Sequence, residues 1–424
     1  MLIILILIAF LTFSTVNLWR YRNRLPKGPI PLPFIGNFHQ IGYYSWKNGG
    51  VVAGFQEFKK QYGKVFTLWM GPIPTVSIAD YDIAYETHVK RANIFGHRYS
   101  KGGMNYLREG RGIIASNGDL LDDFKKSNWK NGGIEVHAVT CFDYLVGSII
   151  NQLLVSKRFI YGDPVFEKLK ANLLMTIESL SLVDAFAPLW LLKSDLMKWR
   201  TKTTLAPFDF IFSVVEDIVN KRLASIKSGE HVIGEEGDDF VDAFLLKLQT
   251  NERDGIESSL DLESLKIDLY DLWLAGQETT STTLTWACAC LLNHPEVITK
   301  TREELIEITG GNTNVSLTDR PKTSYLNAVI NVDEDLFKNN SEFCPERFLE
   351  NSGLEKKLIP FGIGKRACLG ESLARAELYL ILGNLIMEYD LEPIGKTPEI
   401  KTTTLLAVMR RPPAFDIRFV PVDI

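Results

Sequence analysis

The sequence predicts a mainly α-helical protein with a small β portion, standing behind an N-terminal membrane helix. Three observations carry this reading. Apolar residues recur at helical spacing from about residue 145 to about residue 305, apart from a glycine-rich, acidic loop around Ser228–Asp239. Strand-like alternation is confined to short runs, among them Val65–Met70 and Thr75–Ile78. The chain opens with an almost uncharged stretch from Leu2 to Trp19, which meets the ~17–25 residues a helix needs to cross a bilayer.

Taken in order, the apolar stretch is followed at once by Arg20, Arg22 and Arg24. Basic residues on that side, with no small-residue cleavage pattern, favour a signal anchor over a cleaved signal peptide. The positive-inside rule then leaves the remainder of the chain cytosolic. Residues 1–19 are read as the anchor and 20–37 as a basic, proline-rich hinge. Within the hinge, Pro26-Lys-Gly-Pro-Ile-Pro-Leu-Pro33 cannot be helical and forms a stiff, extended connector. Residues 38–424 form the main domain. Its first strands flank Gly71-Pro72, the signature of a small hairpin. The longest periodic segment runs from about Asp261 to Asn293 and stops at His294-Pro295, long enough to traverse the whole domain.

Composition excludes several classes. With 424 residues, 46% apolar content, 23% charge and a net charge of −5, the chain is ordinary globular material with no general attraction to nucleic acid. Its five cysteines show neither zinc-type spacing nor a pairing pattern, which suits a reducing compartment.

Chemistry concentrates in two places. Residues 361–370 read Phe-Gly-Ile-Gly-Lys-Arg-Ala-Cys-Leu-Gly, directly ahead of the helical run that starts at Glu371. Glycines permit a tight turn and close approach of a flat ligand. Arg366 offers a fixed guanidinium to a carboxylate. Cys368 precedes a helix N-terminus, whose dipole favours a thiolate. A bare cysteine is more often an inert buried hydrophobe. The second place is Ala275-Gly-Gln-Glu-Thr-Thr280, in the middle of the long helical segment. A threonine hydroxyl there can bond the preceding turn and bend the helix, and Gly276 leaves room for a ligand. A simple helix kink accounts for the same residues.

Together these segments resemble the cytochrome P450 family: the decapeptide is similar to its haem-thiolate loop, Ala275–Thr280 to its oxygen-activating stretch, and Phe343-Cys-Pro-Glu-Arg-Phe348 to its Pro-Glu-Arg-Phe segment. The resemblance implies the P450 fold and haem b, with Cys368 as the metal ligand. It implies cofactor contacts from Phe361, Gly364, Arg366, Cys368, Gly370, Ala275 and Gly276, with Arg366 a propionate partner. Glu278 and Thr279 would be the catalytic pair on the distal side of the haem. The implied activity is insertion of one oxygen atom from O2 into a lipophilic small molecule, with electrons from a separate NADPH-dependent reductase. The implied location is the endoplasmic reticulum membrane, with the catalytic domain cytosolic. Lys356, Lys357, Lys365 and Arg375 form a basic rim that would either dock the reductase or simply be solvated.

Two signatures of the family are missing. No Glu-x-x-Arg occurs anywhere, and none of the eight tryptophans has an arginine four places later. The chain therefore looks like an incomplete P450 fold, interrupted near 120–121 and 331–332. Arg347 would lose its ion-pair partners, and the alternative function is a catalytically impaired or non-enzymatic haem-binding or interaction protein.

Overall fold

The computed structural model describes residues 18–91, 129–130, 132–157, 159, 161–179, 194–195, 198–235, 237–258, 260–311, 315–330, 343–350, 358–400 and 410–422. Most of the expected anchor, both expected interruptions, and Lys356 and Lys357 lie outside these residues.

The N-terminal part is a small unit of its own. Helices α1 (Phe38–Asn48) and α2 (Val51–Tyr62) pack on the hairpin of β1 (Val65–Met70) and β2 (Ile73–Ile78). The strands pair from Val65↔Ile78 to Met70↔Ile73, so the two-residue turn is Gly71-Pro72, and the second strand begins two residues before the expected start. Phe58, Phe66 and Leu68 close its core. The hinge is extended, as its prolines require, yet it is not a free connector. Thr67 N–H donates to the Lys27 carbonyl at 3.2 Å, and the buried Asn37 side chain accepts from Trp69 N–H at 2.7 Å while donating to the Ile30 carbonyl at 3.2 Å. A short helix α3 (Tyr81–Ala84) then runs into a π-helical turn, Tyr85–Lys90.

The main body is helical. Strands β3 (Trp129–Lys130) and β4 (Gly133–His137) lead into α4 (Ala138–Val155). Helices α5 (Pro164–Ser179), α6 (Lys198–Ser228) and α7 (Phe240–Arg253) follow. The central helix α8 (Leu262–Asn293) is 32 residues long, about 48 Å at ~1.5 Å per residue. Asp261 caps it, accepting from Ser264 N–H at 2.7 Å, and Pro295 opens the next helix. Helices α9 (Pro295–Thr309), α10 (Ser324–Ile330) and α11 (Glu346–Glu350) precede α12 (Glu371–Glu388). The last strands, β5 (Tyr389–Ile394) and β6 (Asp416–Pro421), complete an antiparallel sheet in the order β3-β4-β6-β5.

Helix α8 lies along α4 and also touches α6, α9 and α12, so the main core surrounds it. Among the described residues one helix, α4, is long and apolar enough to cross a membrane. Since 78% of that stretch is buried, it has the character of a core helix. The molecule is thus mainly α with a minor β part, as the periodicity predicted.

Candidate active site

The decapeptide folds into a tight loop at the foot of α12. Cys368 N–H donates to the Phe361 carbonyl at 2.7 Å, closing the loop on itself, and Gly364–Arg366 form a single 3-10 turn. Gly364 has φ +77°, and a Cβ there would sit 2.1 Å from the His88 carbonyl oxygen. This glycine therefore permits the close contact with the π-helical turn. The Arg375 guanidinium stacks on the Phe361 ring at 4.8 Å, and its Nε donates to Glu371 at 2.9 Å. Arg375 thus braces the loop through Phe361 and Glu371. Arg366 is exposed and does not line the cavity described next.

Helices α4, α8 and α12 and this loop enclose a cavity of about 290 Å3. Ala275, Gly276 and Thr279 of α8 line it, as do Phe361, Cys368 and Gly370. Ala275 and Thr279 are exposed although they sit midway along a buried helix, and they lie one turn apart on one face. Opposite them the Cys368 thiol is also exposed. The remaining wall is largely apolar, from Ile150, Leu153 and Leu154 of α4 and Leu369 and Leu373 by the loop. Thr279 Oγ1 donates to the Ala275 carbonyl at 2.8 Å, the expected bond to the preceding turn, and α8 runs through it without a break. Gly276 lines the cavity and also faces α4. A Cβ on it would meet Ile150 Cδ1 at 2.8 Å, so its smallness admits α4.

Glu278 does not line the cavity. It points to the far side of α8, where it is fully buried between Lys170 of α5 and Arg411, the latter at 2.6 Å. Lys170 also holds Asp143 of α4 at 2.6 Å. Burial pushes the Asp143 carboxyl above its ordinary value, partly offset by Lys170. This cluster ties three segments together behind the central helix. Successive helical residues point about 100° apart, so Glu278 and Thr279 cannot both face one cavity squarely.

Three other thiols, unlike the exposed Cys368, are buried. Burial raises Cys141 to about 12 and Cys290 to about 11, and pushes Cys288 up as well. They are inert core groups. Among the described residues no three His, Cys, Asp or Glu side chains gather as a metal site. Two polar residues of the wall were missed from the sequence, Asp271 and Glu377. Glu377 carried one signal, an acid inside the apolar run Ala-Glu-Leu-Tyr-Leu-Ile-Leu.

The Pro-Glu-Arg-Phe segment is anchored through Glu346. It accepts from Lys300 of α9 at 2.5 Å and from the Tyr325 hydroxyl of α10 at 2.9 Å. Burial opposes ionisation of Glu346, but these hydrogen bonds outweigh it and bring the carboxyl to about 2. Arg347 Nε donates to the Cys344 carbonyl at 3.1 Å.

Comparison with known proteins agrees with this architecture. The model of the family described as Cytochrome P450 matches residues 26–126, 115–332 and 330–419. "Probable cytochrome P450 cyp-35D1" of Caenorhabditis elegans is 33% identical over 476 residues, covering 94% of this chain and 95% of the relative. "Cytochrome P450 2C70" of Rattus norvegicus is 26% identical, covering 96% of each chain. "Cytochrome P450 2C8" of Homo sapiens is 27% identical, covering 98% of this chain and 99% of the relative. An exposed cysteine in a glycine-rich loop, facing an open face of the longest helix, accompanies a family match along nearly the whole sequence: the chain belongs to the cytochrome P450 family.

Proposed function

We propose that this chain is a membrane-anchored haem-thiolate monooxygenase acting on a lipophilic small molecule. The observation that carries the reading is the pairing of an exposed Cys368 with the exposed Ala275–Thr279 face of α8 across one cavity. The residues suit a haem b group. A flat apolar macrocycle would cover the open face of α8 and the 56%-exposed Leu369, and Cys368 would supply a sulfur ligand. Once bound, such a group supplies the O2 chemistry, with electrons reaching it from a separate NADPH-dependent reductase. The protein's part is to hold and to exclude. Cys368 would be the metal ligand, and Phe361, Gly370, Ala275 and Gly276 would form the walls. Gly364 would support the loop through His88, and Arg366 would meet a propionate. Thr279 would orient a polar ligand on the α8 side through its hydroxyl oxygen. The leucine-rich wall favours an apolar substrate.

Attachment to the endoplasmic reticulum membrane through residues 1–19, with 20–37 as hinge and 38–424 as a cytosolic catalytic domain, belongs to the same proposal. Its support is the apolar start of the sequence, together with Trp19 at its end and Tyr21, Ile30, Leu32, Phe34 and Ile35 just after it, all exposed.

A second reading, an impaired member of the family, has its own support. Glu-x-x-Arg and Trp-x-x-x-Arg are absent. The family match divides near 115–126 and 330–332, and the alignment with the nematode relative spans 476 positions against 424 residues in this chain. Both are what two deletions, near 120–121 and 331–332, would produce.

Absorbance of the reduced, CO-bound protein tests the two readings. A thiolate-type band supports the monooxygenase, and a histidine-type band or none supports the impaired form. Inserting the two absent segments should then raise haem content and reductase-driven turnover. Full turnover by the unaltered chain would contradict the disabling effect of the gaps.

A further inference from the structure

The two edges of the β1–β2 hairpin differ. On the β1 side the hinge covers the outward backbone groups. Thr67 N–H donates to the Lys27 carbonyl at 3.2 Å, Trp69 N–H to the Asn37 side chain at 2.7 Å, and the Trp69 carbonyl accepts from Asn37 N–H at 2.7 Å. The hairpin is a sheet of two strands, and the β2 side has no such cover among the described residues. The register tells which of its groups face outward. A two-residue turn closes on a hydrogen-bonded pair, here Met70↔Ile73, and such pairs recur at Leu68↔Thr75 and Phe66↔Ser77. Ala79 N–H, which donates to the Lys64 carbonyl at 2.8 Å, continues that alternation. Pro74, Val76 and Ile78 therefore turn their backbone groups to the open edge. Pro74, with no N–H to offer, stands where an edge strand tolerates proline.

An open edge is a template for another strand, and proteins commonly blunt such edges with charged side chains. The run Gly71-Pro-Ile-Pro-Thr-Val-Ser-Ile-Ala79 carries none, and Asp80, which follows it, is already paired with Lys64. Val76 is 43% exposed and lies on the face away from α1 and α2, because Thr75 and Ser77 share the face of Leu68 and Phe66. The strand is also complementary to itself. An antiparallel copy related by a two-fold axis through Val76 sets Val76 of one copy opposite Val76 of the other. Pro74 then lies opposite Ile78, and Thr75 opposite Ser77. Apolar side chains meet on one face and hydroxyls on the other, pairings that stabilise adjacent strands. The two valines exchange both of their backbone hydrogen bonds, and each Ile78 N–H reaches a Pro74 carbonyl.

We propose that β2 is a dimerisation edge, and that its occupant is the β2 strand of a second copy of this chain, paired antiparallel about Val76. The resulting interface is isologous, each copy presenting the same strand to the other. A single strand pair is a small contact, in the class below ~1,200 Å2 where association is weak and reversible. The pairing does not depend on haem.

Sedimentation of the full chain in detergent, over a range of protein concentrations, tests for the dimer, and a monomer–dimer equilibrium is expected. Val76→Pro removes the central N–H donor from each copy but spares the hairpin's own bonds. It should leave the circular dichroism unchanged and weaken dimerisation by ~10-fold or more, the effect of losing two backbone hydrogen bonds. Oxidative cross-linking reads the register. Directly opposed hydrogen-bonded residues stand ~5.5 Å apart at Cα, within disulfide reach, so Val76→Cys should cross-link to itself well above the level of the parent chain. Thr75→Cys, which would face Ser77, should not. A chain that stays monomeric, a dimer indifferent to Val76→Pro, or equal cross-linking of the two cysteine variants overturns the proposal. So does a monomer whose β2 pairs with a strand of a different protein. If Val76→Pro does not fold, the two cysteine variants decide.

Discussion

Behind the central helix, Glu278 is fully buried and gripped by Lys170 and Arg411, with Asp143 completing the cluster. In front of it, Glu377 is almost as deeply buried but has no cation and no completed hydrogen bond. The two carboxylates belong to packed helices, α8 and α12, and differ chiefly in company. A charge with partners on several segments acts as a fastener; its removal strands the other charges. A carboxyl without partners stays neutral and keeps a proton available. The family resemblance names Glu278, which the structure places in the ion-paired cluster, while Thr279, Thr280 and Glu377 line the cavity.

The comparison is broken most forcefully by Glu278→Ala. It leaves Lys170 and Arg411 buried without their shared partner, and loss of one member of such a group costs ~3–5 kcal/mol. Chemical denaturation should report that loss, and a change below ~1 kcal/mol would show that the cluster is not a fastener. Glu377 should instead appear in the pH dependence of stability. Its folded pKa of about 8 lies above its ordinary 4.5, so the folded state binds the extra proton and stability falls as pH rises from 4.5 toward 8. Glu377→Gln should flatten that part of the profile. Glu346 carries the opposite sign: held at about 2, it contributes stability above its ordinary 4.5 that is lost as pH falls toward 2. Glu346→Gln should flatten only the acid limb, and by less, because the side chain is 36% exposed and screened by solvent.

Smaller effects sharpen the front of the helix. Thr279→Ala should leave folding and haem content intact but release more peroxide per electron consumed, as assayed with reductase present. Equal coupling would make Thr279 only a helix-bending residue. The smallest effect is expected at the rim. Lys365→Glu should modestly slow electron transfer and weaken its dependence on salt, measured by stopped flow across ionic strength.

Much of this was legible in the chain. The hairpin follows from two alternating runs around Gly71-Pro72, and the ends of α8 follow from Asp261 and His294-Pro295, because caps and prolines act locally. The Cys loop was legible because its glycines and the helix behind it are contiguous. What the sequence hid depends on distant partners. Gly276 is small for Ile150, which lies on another helix, and Gly364 is small for the carbonyl of His88. Glu278 and Thr279 are neighbours in sequence but face different ways on a helix. Glu377 stood out in sequence only as an acid in an apolar run, and its lack of a partner emerged once α12 was seen against α8. The hinge prolines predicted extension correctly, but not the bonds that fasten the hinge to β1.

Cys368, alone among the five thiols, lines the cavity proposed to hold haem. Haem titration of the full chain beside Cys368→Ala and Cys288→Ala, read from the reduced, CO-bound spectrum, tests it directly. A thiolate-type band in the parent and in Cys288→Ala, absent from Cys368→Ala, is the predicted result. A thiolate-type band that persists in Cys368→Ala would contradict the claim.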